Sequence, residues 1–127
     1  MSEAITEGVR ILVHSRYHPE HSQPASRRWF FSYTVQIRNE SGTPVRLLRR
    51  HWKIHHGTGR VEEVRGDGVV GEQPNLSPNE HFEYTSFAQL DASLGAMEGS
   101  YTFAREDGTE FLARIAPFTL EDPESVN

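Results

Sequence analysis

Hydrophobic and polar residues alternate along much of this chain, with the two-residue period of a β-strand. The clearest run carries five large side chains on one face: Trp29, Phe31, Tyr33, Val35 and Ile37. The other face carries the alternating residues Phe30, Ser32, Thr34, Gln36 and Arg38 and is half-polar. A shorter run, Val9, Ile11 and Val13, predicts a first strand over about residues 5–15. Because alternate side chains of a strand point to opposite faces, both runs predict strands with one buried face.

Turn-forming residues separate the further strand-like segments. They are Asn39-Glu40-Ser41-Gly42, Gly57-Thr58-Gly59 and the hairpin signal Asp107-Gly108. Further strands are predicted over residues 45–56, 61–64, 82–84, 101–103 and 111–115, with one short helix-like stretch over 88–94. In the segment 45–56 the apolar face changes between Leu47 and Leu48, which predicts a β-bulge or burial on both faces. About seven strands without a long helix predict an all-β fold, an antiparallel two-sheet β-sandwich.

Length and composition limit the classes of protein that remain. The 127 residues suit one domain spanning 1–127, with about 5–120 ordered and a short acidic tail at 121–127. There is no cysteine, which excludes disulfides, thiolate-metal sites and cysteine nucleophiles. No apolar run approaches the roughly 20 residues of a membrane-spanning helix, and the first residues do not form a signal peptide. We therefore expect a cytoplasmic protein that does not insert into membranes.

Charge is unevenly distributed. The chain has 13 basic and 18 acidic residues and a net charge of -5, so we expect no general nucleic-acid binding. Seven of the basic residues lie close together: Arg27, Arg28, Arg38, Arg46, Arg49, Arg50 and Lys53. Arginine favours bidentate contacts and stacking, so these residues could recognise a partner. They could equally pair with acidic residues of other strands within the fold.

The residues Gly66, Gly68 and Gly71 match the spacing G-x-G-x-x-G of dinucleotide-binding turns. Such a site needs a helix directly after the glycines, and Pro74 and Pro78 exclude one here. Two interpretations remain. The loop could bind an anion through its backbone amides without a helix, or its glycines could simply adopt positive φ angles in a tight loop.

Candidate metal ligands and catalytic residues are weak in this sequence. His14, His18 and His21 lie near Glu20, but this segment is predicted as a strand end followed by a loop, so no metal site is predicted. The chain has no nucleophile elbow, no zinc-protease helix motif and no phosphate-binding lysine signature. We therefore expect no catalytic residues, no cofactor and no enzymatic activity.

Several motifs together resemble the ApaG family over about residues 5–120. They are Arg49-Arg50-His51-Trp52, Gly68-Val69-Val70-Gly71-Glu72-Gln73-Pro74, Tyr84-Thr85-Ser86 and Met97-Glu98-Gly99-Ser100-Tyr101. Phe87 departs from the pattern, where a small residue is expected, and implies a differently shaped turn. The resemblance implies a fibronectin-type-III-like or immunoglobulin-like sandwich and an association with cobalt and magnesium efflux. It also implies a link to diadenosine tetraphosphate hydrolase genes and relatives in F-box and polymerase-associated proteins, but no catalytic residues.

The sequence leaves three functional hypotheses. The first is a non-enzymatic protein-binding module with Arg49, Arg50 and His51 as its partner surface, beside a Trp52 that serves the interface or the core. The second is a sensor of small anions or of nucleotide phosphates such as diadenosine tetraphosphate, which would use the loop at Gly66, Gly68 and Gly71. The third is direct handling of a divalent metal at the histidines 14, 18 and 21. Partner identity and oligomeric state stay open.

Overall fold

The structure, a computed structural model, describes residues 1–124, whose regular secondary structure consists of β-strands and two short 3₁₀ helices, Pro19–His21 and Pro24–Ser26. The nine strands are β1 Ser2–Thr6, β2 Val9–Tyr17, β3 Trp29–Asn39, β4 Val45–His56, β5 Val61–Asp67, β6 Asn75–Leu76, β7 His81–Leu90, β8 Leu94–Arg105 and β9 Glu110–Glu121. One sheet has the order β1-β2-β3-β7 and the other β5-β4-β8-β9, with β6 paired to β4. All pairs are antiparallel. The predicted all-β sandwich is confirmed, with two strands more than predicted.

The core lies between the two sheets and follows the alternation in the sequence. In β3, Phe31, Val35 and Ile37 are at most 1% exposed, and Val9, Ile11 and Val13 of β2 are equally buried. Trp52 of β4 packs at the centre, with its ring centroid 5.1 Å from that of Tyr33 and about 6 Å from those of Tyr101 and Phe118. Its exposed fraction is 2%, so Trp52 is a core residue rather than a surface anchor.

The predicted irregularity in β4 is a β-bulge. The register of β4 against β8 shifts between Leu47 and Arg49, which places an additional residue in β4. Beyond the bulge, Arg50 and Trp52 lie on the inner face of the sheet, opposite Gly66 and Val64 of β5. Arg49 and His51 therefore lie on the outer face. The four consecutive residues of this motif are thus divided between the two faces of the sheet.

Three local predictions are wrong. The predicted first strand over residues 5–15 is two strands, because Glu7 and Gly8 adopt φ angles of 49° and 83° and form a hairpin turn between β1 and β2. The helix-like stretch 88–94 instead contains the end of β7, a bend and the start of β8. There is also no turn at Phe87, since the register of β7 against β3 is continuous from His81 to Leu90.

The other turns and the chain end agree with or extend the sequence interpretation. The reversals at Gly57–Gly59 and at Asp107-Gly108 are confirmed, with φ angles of 96° for Gly59 and 86° for Gly108. In the predicted acidic tail, Glu121 belongs to β9 and the rest up to 124 follows it, while 125–127 lie outside the described residues. In the part of the chain that is described, no helix is long and apolar enough to cross a membrane.

A candidate binding cavity beside the glycine loop

The glycine loop connects β5 to β6 through a tight turn. The N–H of Val69 donates to the carbonyl of Glu72 at 2.8 Å, and the N–H of Glu72 donates back to Val69 at 2.9 Å. Val70 and Gly71 between them have φ angles of 44° and 81°, which is the backbone geometry of a type I′ turn. The expectation that no helix follows the glycines is confirmed, because the chain continues into the short strand β6.

Each of the three glycines has its own structural reason. A Cβ atom on Gly66 would lie 2.6 Å from Nη2 of Arg50, so Gly66 makes room for that guanidinium. Gly68 has a φ of +64°, and a Cβ there would lie 2.3 Å from the carbonyl oxygen of Glu72. Gly71 has open space but a φ of +81°. The positive-φ interpretation is therefore confirmed for Gly68 and Gly71, whereas Gly66 is needed for close packing.

Most backbone amides of the loop are occupied within the protein. The N–H of Gly68 donates to the carbonyl of Leu48 at 2.8 Å, and those of Val69 and Glu72 bond to each other's carbonyls. A cradle of consecutive free amides, as in phosphate-binding loops, is thus not formed at Gly68. The amides of Val70 and Gly71 donate no hydrogen bond to residues 1–124. Anion binding by Gly66, Gly68 and Gly71 remains an untested prediction.

Arg50 fastens the loop to the sandwich. Its Nη1 donates to the carbonyls of Asp67 and Gly68, each at 2.9 Å. No residue from 1 to 124 accepts a hydrogen bond from Nε or Nη2 of this side chain. The guanidinium is therefore only partly used by its structural contacts.

A cavity of about 230 Å³ opens between the sheets beside this guanidinium. Its lining residues are Tyr33, Arg50, Trp52, Val69, Val70, Gly71, Tyr84 and Ser86. Seven of these eight belong to three of the motifs by which the sequence resembles a known family. The fourth motif lies directly behind, since the hydroxyl of its Tyr101 bonds that of Tyr84. Motifs from separate parts of the chain thus meet around one cavity. No pattern along the sequence predicts that these motifs lie close together.

The tyrosine hydroxyls around the cavity are held in the neutral form. Burial raises the pKa of Tyr33 and, more strongly, that of Tyr84. Burial together with the neighbouring Tyr84 phenol raises the pKa of Tyr101 well above its ordinary value. Desolvation penalises a phenolate, so these groups remain hydrogen-bond donors at neutral pH.

We expect the fold to lose stability as pH rises above about 10, the ordinary pKa of tyrosine. The folded state keeps three phenol protons that the unfolded state releases in this range, so the contribution of these tyrosines to stability is constant below pH 10 and falls above it. Phenolate absorbance of these tyrosines should appear together with the loss of far-UV circular dichroism. The Tyr84→Phe variant should show a shallower decline. Ionisation of all four tyrosines with the dichroism unchanged would contradict this.

The predicted partner surface does not form one face. On the outer face of the second sheet, Nη2 of Arg49 donates to Glu110 at 2.6 Å, and Nε2 of His51 lies 3.6 Å from Glu63. Arg50 lies on the inner face because of the strand alternation after the bulge. The charge of Arg49 is thus balanced by an acidic residue of a neighbouring strand, as one of the two interpretations of the basic segment predicted.

An exposed aromatic pair lies on the outer face of the first sheet. The rings of Phe30 in β3 and Phe87 in β7 are stacked, with centroids 5.4 Å apart, and Phe87 is 59% exposed. His21 and His18 lie edge-on to Phe30, at 5.7 and 6.1 Å. Sequence reasoning missed this aromatic patch, defined by Phe30, Phe87, His18 and His21. The departure of Phe87 from the family pattern was the one available signal.

Two of the histidines considered as metal ligands, His18 and His21, lie beside Glu20, with their ring centroids 6.1 Å apart. His14 is exposed on β2, while His18 bonds Glu20 through Nδ1 at 3.0 Å and Ser32 through Nε2 at 2.7 Å. Within residues 1–124, no group of three or more His, Asp or Glu side chains could hold a metal ion.

Comparison with known proteins gives a consistent family. The profile of the ApaG domain, DUF525, matches residues 19–105. A protein named ApaG from Anaeromyxobacter dehalogenans strain 2CP-1 is 51% identical over the whole of both chains, and one from Stenotrophomonas maltophilia is 42% identical over the same extent. The crystal structure of an ApaA protein from Bordetella pertussis superposes with a TM-score of 0.88 at 45% identity, covering 91% of this chain and 94% of the other.

Proposed function

Because this chain belongs to the ApaG family, we propose that it is a non-enzymatic protein-binding module of the cytoplasm, which contacts its partner through the aromatic patch. The observation that carries the proposal is Phe87, a large apolar side chain that is 59% exposed and stacked on Phe30. Folding does not require an exposed phenylalanine on a strand. Aromatic side chains are, in contrast, enriched at the energetic centres of protein interfaces.

The strand that carries Phe87 supports the same proposal. β7 lies at the edge of its sheet, and its ten residues include no proline, no lysine and no bulge. Proteins commonly protect such edges with those features, because a free strand edge pairs readily with another extended chain. The edge strand β5 is protected by four charged residues, and β1 is only five residues long. An extended segment of a partner could therefore pair with β7 and contact Phe87.

The absence of enzymatic activity is part of the proposal. One arrangement has the geometry of an activated nucleophile, since His18 links Ser32 and Glu20 by two hydrogen bonds. Ser32, however, lies in the middle of β3, paired with Arg16 on one side and Phe87 on the other. The backbone amides around it belong to these ladders and cannot stabilise an oxyanion. We interpret the contacts of His18 as a fastening of the loop after β2 to the sheet.

The protein-binding proposal is tested by capture with matched variants. Immobilised wild-type protein, Phe87→Thr and Leu112→Thr are exposed to a native extract, and retained proteins are identified by mass spectrometry. Leu112 is a suitable control because it is 62% exposed but lies on the other sheet. We expect the wild type and Leu112→Thr to retain a common partner. Purified Phe87→Thr should bind this partner about tenfold more weakly than the wild type does.

Two results would contradict this proposal. Equal retention by Phe87→Thr would exclude the aromatic patch, and equal loss with both variants would indicate nonspecific adhesion. An Arg49→Gln variant in the same experiment examines the surface first predicted from the sequence. If Arg49→Gln alone fails to retain the partner, the interface lies on the outer face of the second sheet instead.

The alternative function is a sensor of small anions or nucleotide phosphates that uses the glycine loop, and its nucleotide form has less support. No helix follows the glycines, and the cavity of about 230 Å³ is smaller than the roughly 300 Å³ at which pockets for drug-sized ligands begin. Divalent-metal handling, including the cobalt and magnesium efflux that the resemblance implies, likewise has no supporting geometry among residues 1–124. Both remain predictions without a structural argument behind them.

A further inference from the structure

We propose that the cavity beside Arg50 is a binding site for a small oxyanion, a group of the size of phosphate or carboxylate. This site is separate from the aromatic patch, because Tyr33, Tyr84 and Ser86 line it from the inner face of the first sheet while Phe87 lies on the outer face. The proposal therefore does not depend on the protein-binding function.

The chemistry of the lining favours a negative ligand. The chain has 18 acidic residues, yet none of the eight lining residues is acidic, and Arg50 is the one charged residue among them. The polar side chains there are the hydroxyls of Tyr33, Tyr84 and Ser86 and the indole N–H of Trp52, all of which can donate hydrogen bonds. A cation would find neither a carboxylate nor a charge-balancing partner in this cavity.

The donors that remain free are those that an oxyanion would use. Arg50 holds both loop carbonyls with Nη1 alone, so Nε and Nη2 form no hydrogen bond to residues 1–124. These two nitrogens make the planar fork that binds carboxylate and phosphate bidentately. Val70 and Gly71 also line the cavity, and their amides donate no hydrogen bond to residues 1–124. The anion would therefore bridge the arginine and the turn, rather than lie on the amides of Gly66 and Gly68.

The dimensions restrict the ligand further. A volume of about 230 Å³ corresponds to that of roughly seven or eight water molecules in the liquid, which accommodates a small anion with some of its water. A nucleoside attached to the phosphate would have to remain outside the cavity. Small inorganic oxyanions and short carboxylates thus fit best.

The test is a titration followed by amide and arginine Nε resonances in two-dimensional nuclear magnetic resonance spectra. Sodium phosphate, sulfate and acetate are added separately to the full chain, with ionic strength kept constant by sodium chloride. We expect saturable shifts at Val70, Gly71 and Arg50 Nε in the millimolar range. A stronger response to phosphate or sulfate than to acetate would identify a tetrahedral ligand, and the reverse order a carboxylate.

Three variants make the test specific. Arg50→Gln should weaken binding at least tenfold, and Ser86→Ala, which removes one lining hydroxyl and leaves the loop contacts in place, severalfold. Arg49→Gln, the adjacent residue on the outer face, should bind like the wild type. If Arg50→Gln fails to fold, the comparison of Ser86→Ala with Arg49→Gln decides. No saturable shift with any anion, or equal affinity of Ser86→Ala and wild type, would overturn the proposal.

Discussion

Gly68→Ala is expected to lower the free energy of unfolding by about 2–4 kcal/mol, the larger of two effects at the glycine loop. Alanine at a φ of +64° is strained, and its Cβ would lie 2.3 Å from the carbonyl oxygen of Glu72. Backbone atoms cannot yield as a flexible side chain can. The turn must therefore open, which removes the reciprocal hydrogen bonds between Val69 and Glu72.

Gly71→Ala provides the matched control for this prediction. Gly71 also has a positive φ, but an added Cβ meets nothing within 4 Å, so the loss should be about 1 kcal/mol. Urea denaturation of the three proteins, followed by circular dichroism, measures both values. If Gly68→Ala and Gly71→Ala were equally stable, the contact with Glu72 would not be the reason for glycine at position 68.

Trp52→Ala is expected to lower the free energy of unfolding by about 3–5 kcal/mol, the range for large aromatic residues in cores. Its ring contacts aromatic side chains of both sheets, and 2% of it is exposed, so its removal leaves a void at the centre of the sandwich. A loss of this size is a large part of the stability of a small domain. The same urea denaturation measures it.

His51→Ala is the control for the tryptophan. His51 is the preceding residue in the same motif, but it lies on the outer face, where its side chain is 28% exposed and its Nε2 lies 3.6 Å from Glu63, too far for a hydrogen bond. Exposed ion pairs contribute at most about 1 kcal/mol, so the stability of His51→Ala should stay close to that of the wild type. A stable Trp52→Ala protein that had lost a partner would instead show that Trp52 serves an interface.

Together these variants separate structural from functional roles within the motifs. Substitutions at Gly68 and Trp52 are predicted to lower the stability of the fold, and those at Phe87 to weaken partner binding. Substitutions at Arg50 are predicted to weaken anion binding and to loosen the glycine loop. Gly66 connects the two roles, because a side chain there would displace the Arg50 guanidinium. A motif that resembles a nucleotide-binding turn is thus explained by the packing of one arginine and one tight turn.

Much of the fold could be predicted because its signals are local. The alternation from Trp29 to Ile37, the change of face near Leu47 and the turn at Asp107-Gly108 each depend on a few neighbouring residues. One error was local, since the turn at Glu7 and Gly8 divides the predicted first strand. The other two errors, at Phe87 and over 88–94, occurred where a distant strand decided the outcome. Pairing with β3 extends β7 through Phe87 to Leu90, although the isolated segment 88–94 has helix-like spacing.

The sequence alone predicted the two-sheet β architecture and its buried faces, because a two-residue period of apolar side chains requires one face of each strand to be covered. The exclusion of a helix after the glycines followed as well, since proline forbids it locally. Only the tertiary structure decided where the surfaces and the cavity lie. The bulge in β4 sends Arg50 inward and Arg49 outward, strand pairing stacks Phe87 on Phe30, and the contact of the two sheets gathers three separate motifs around one cavity.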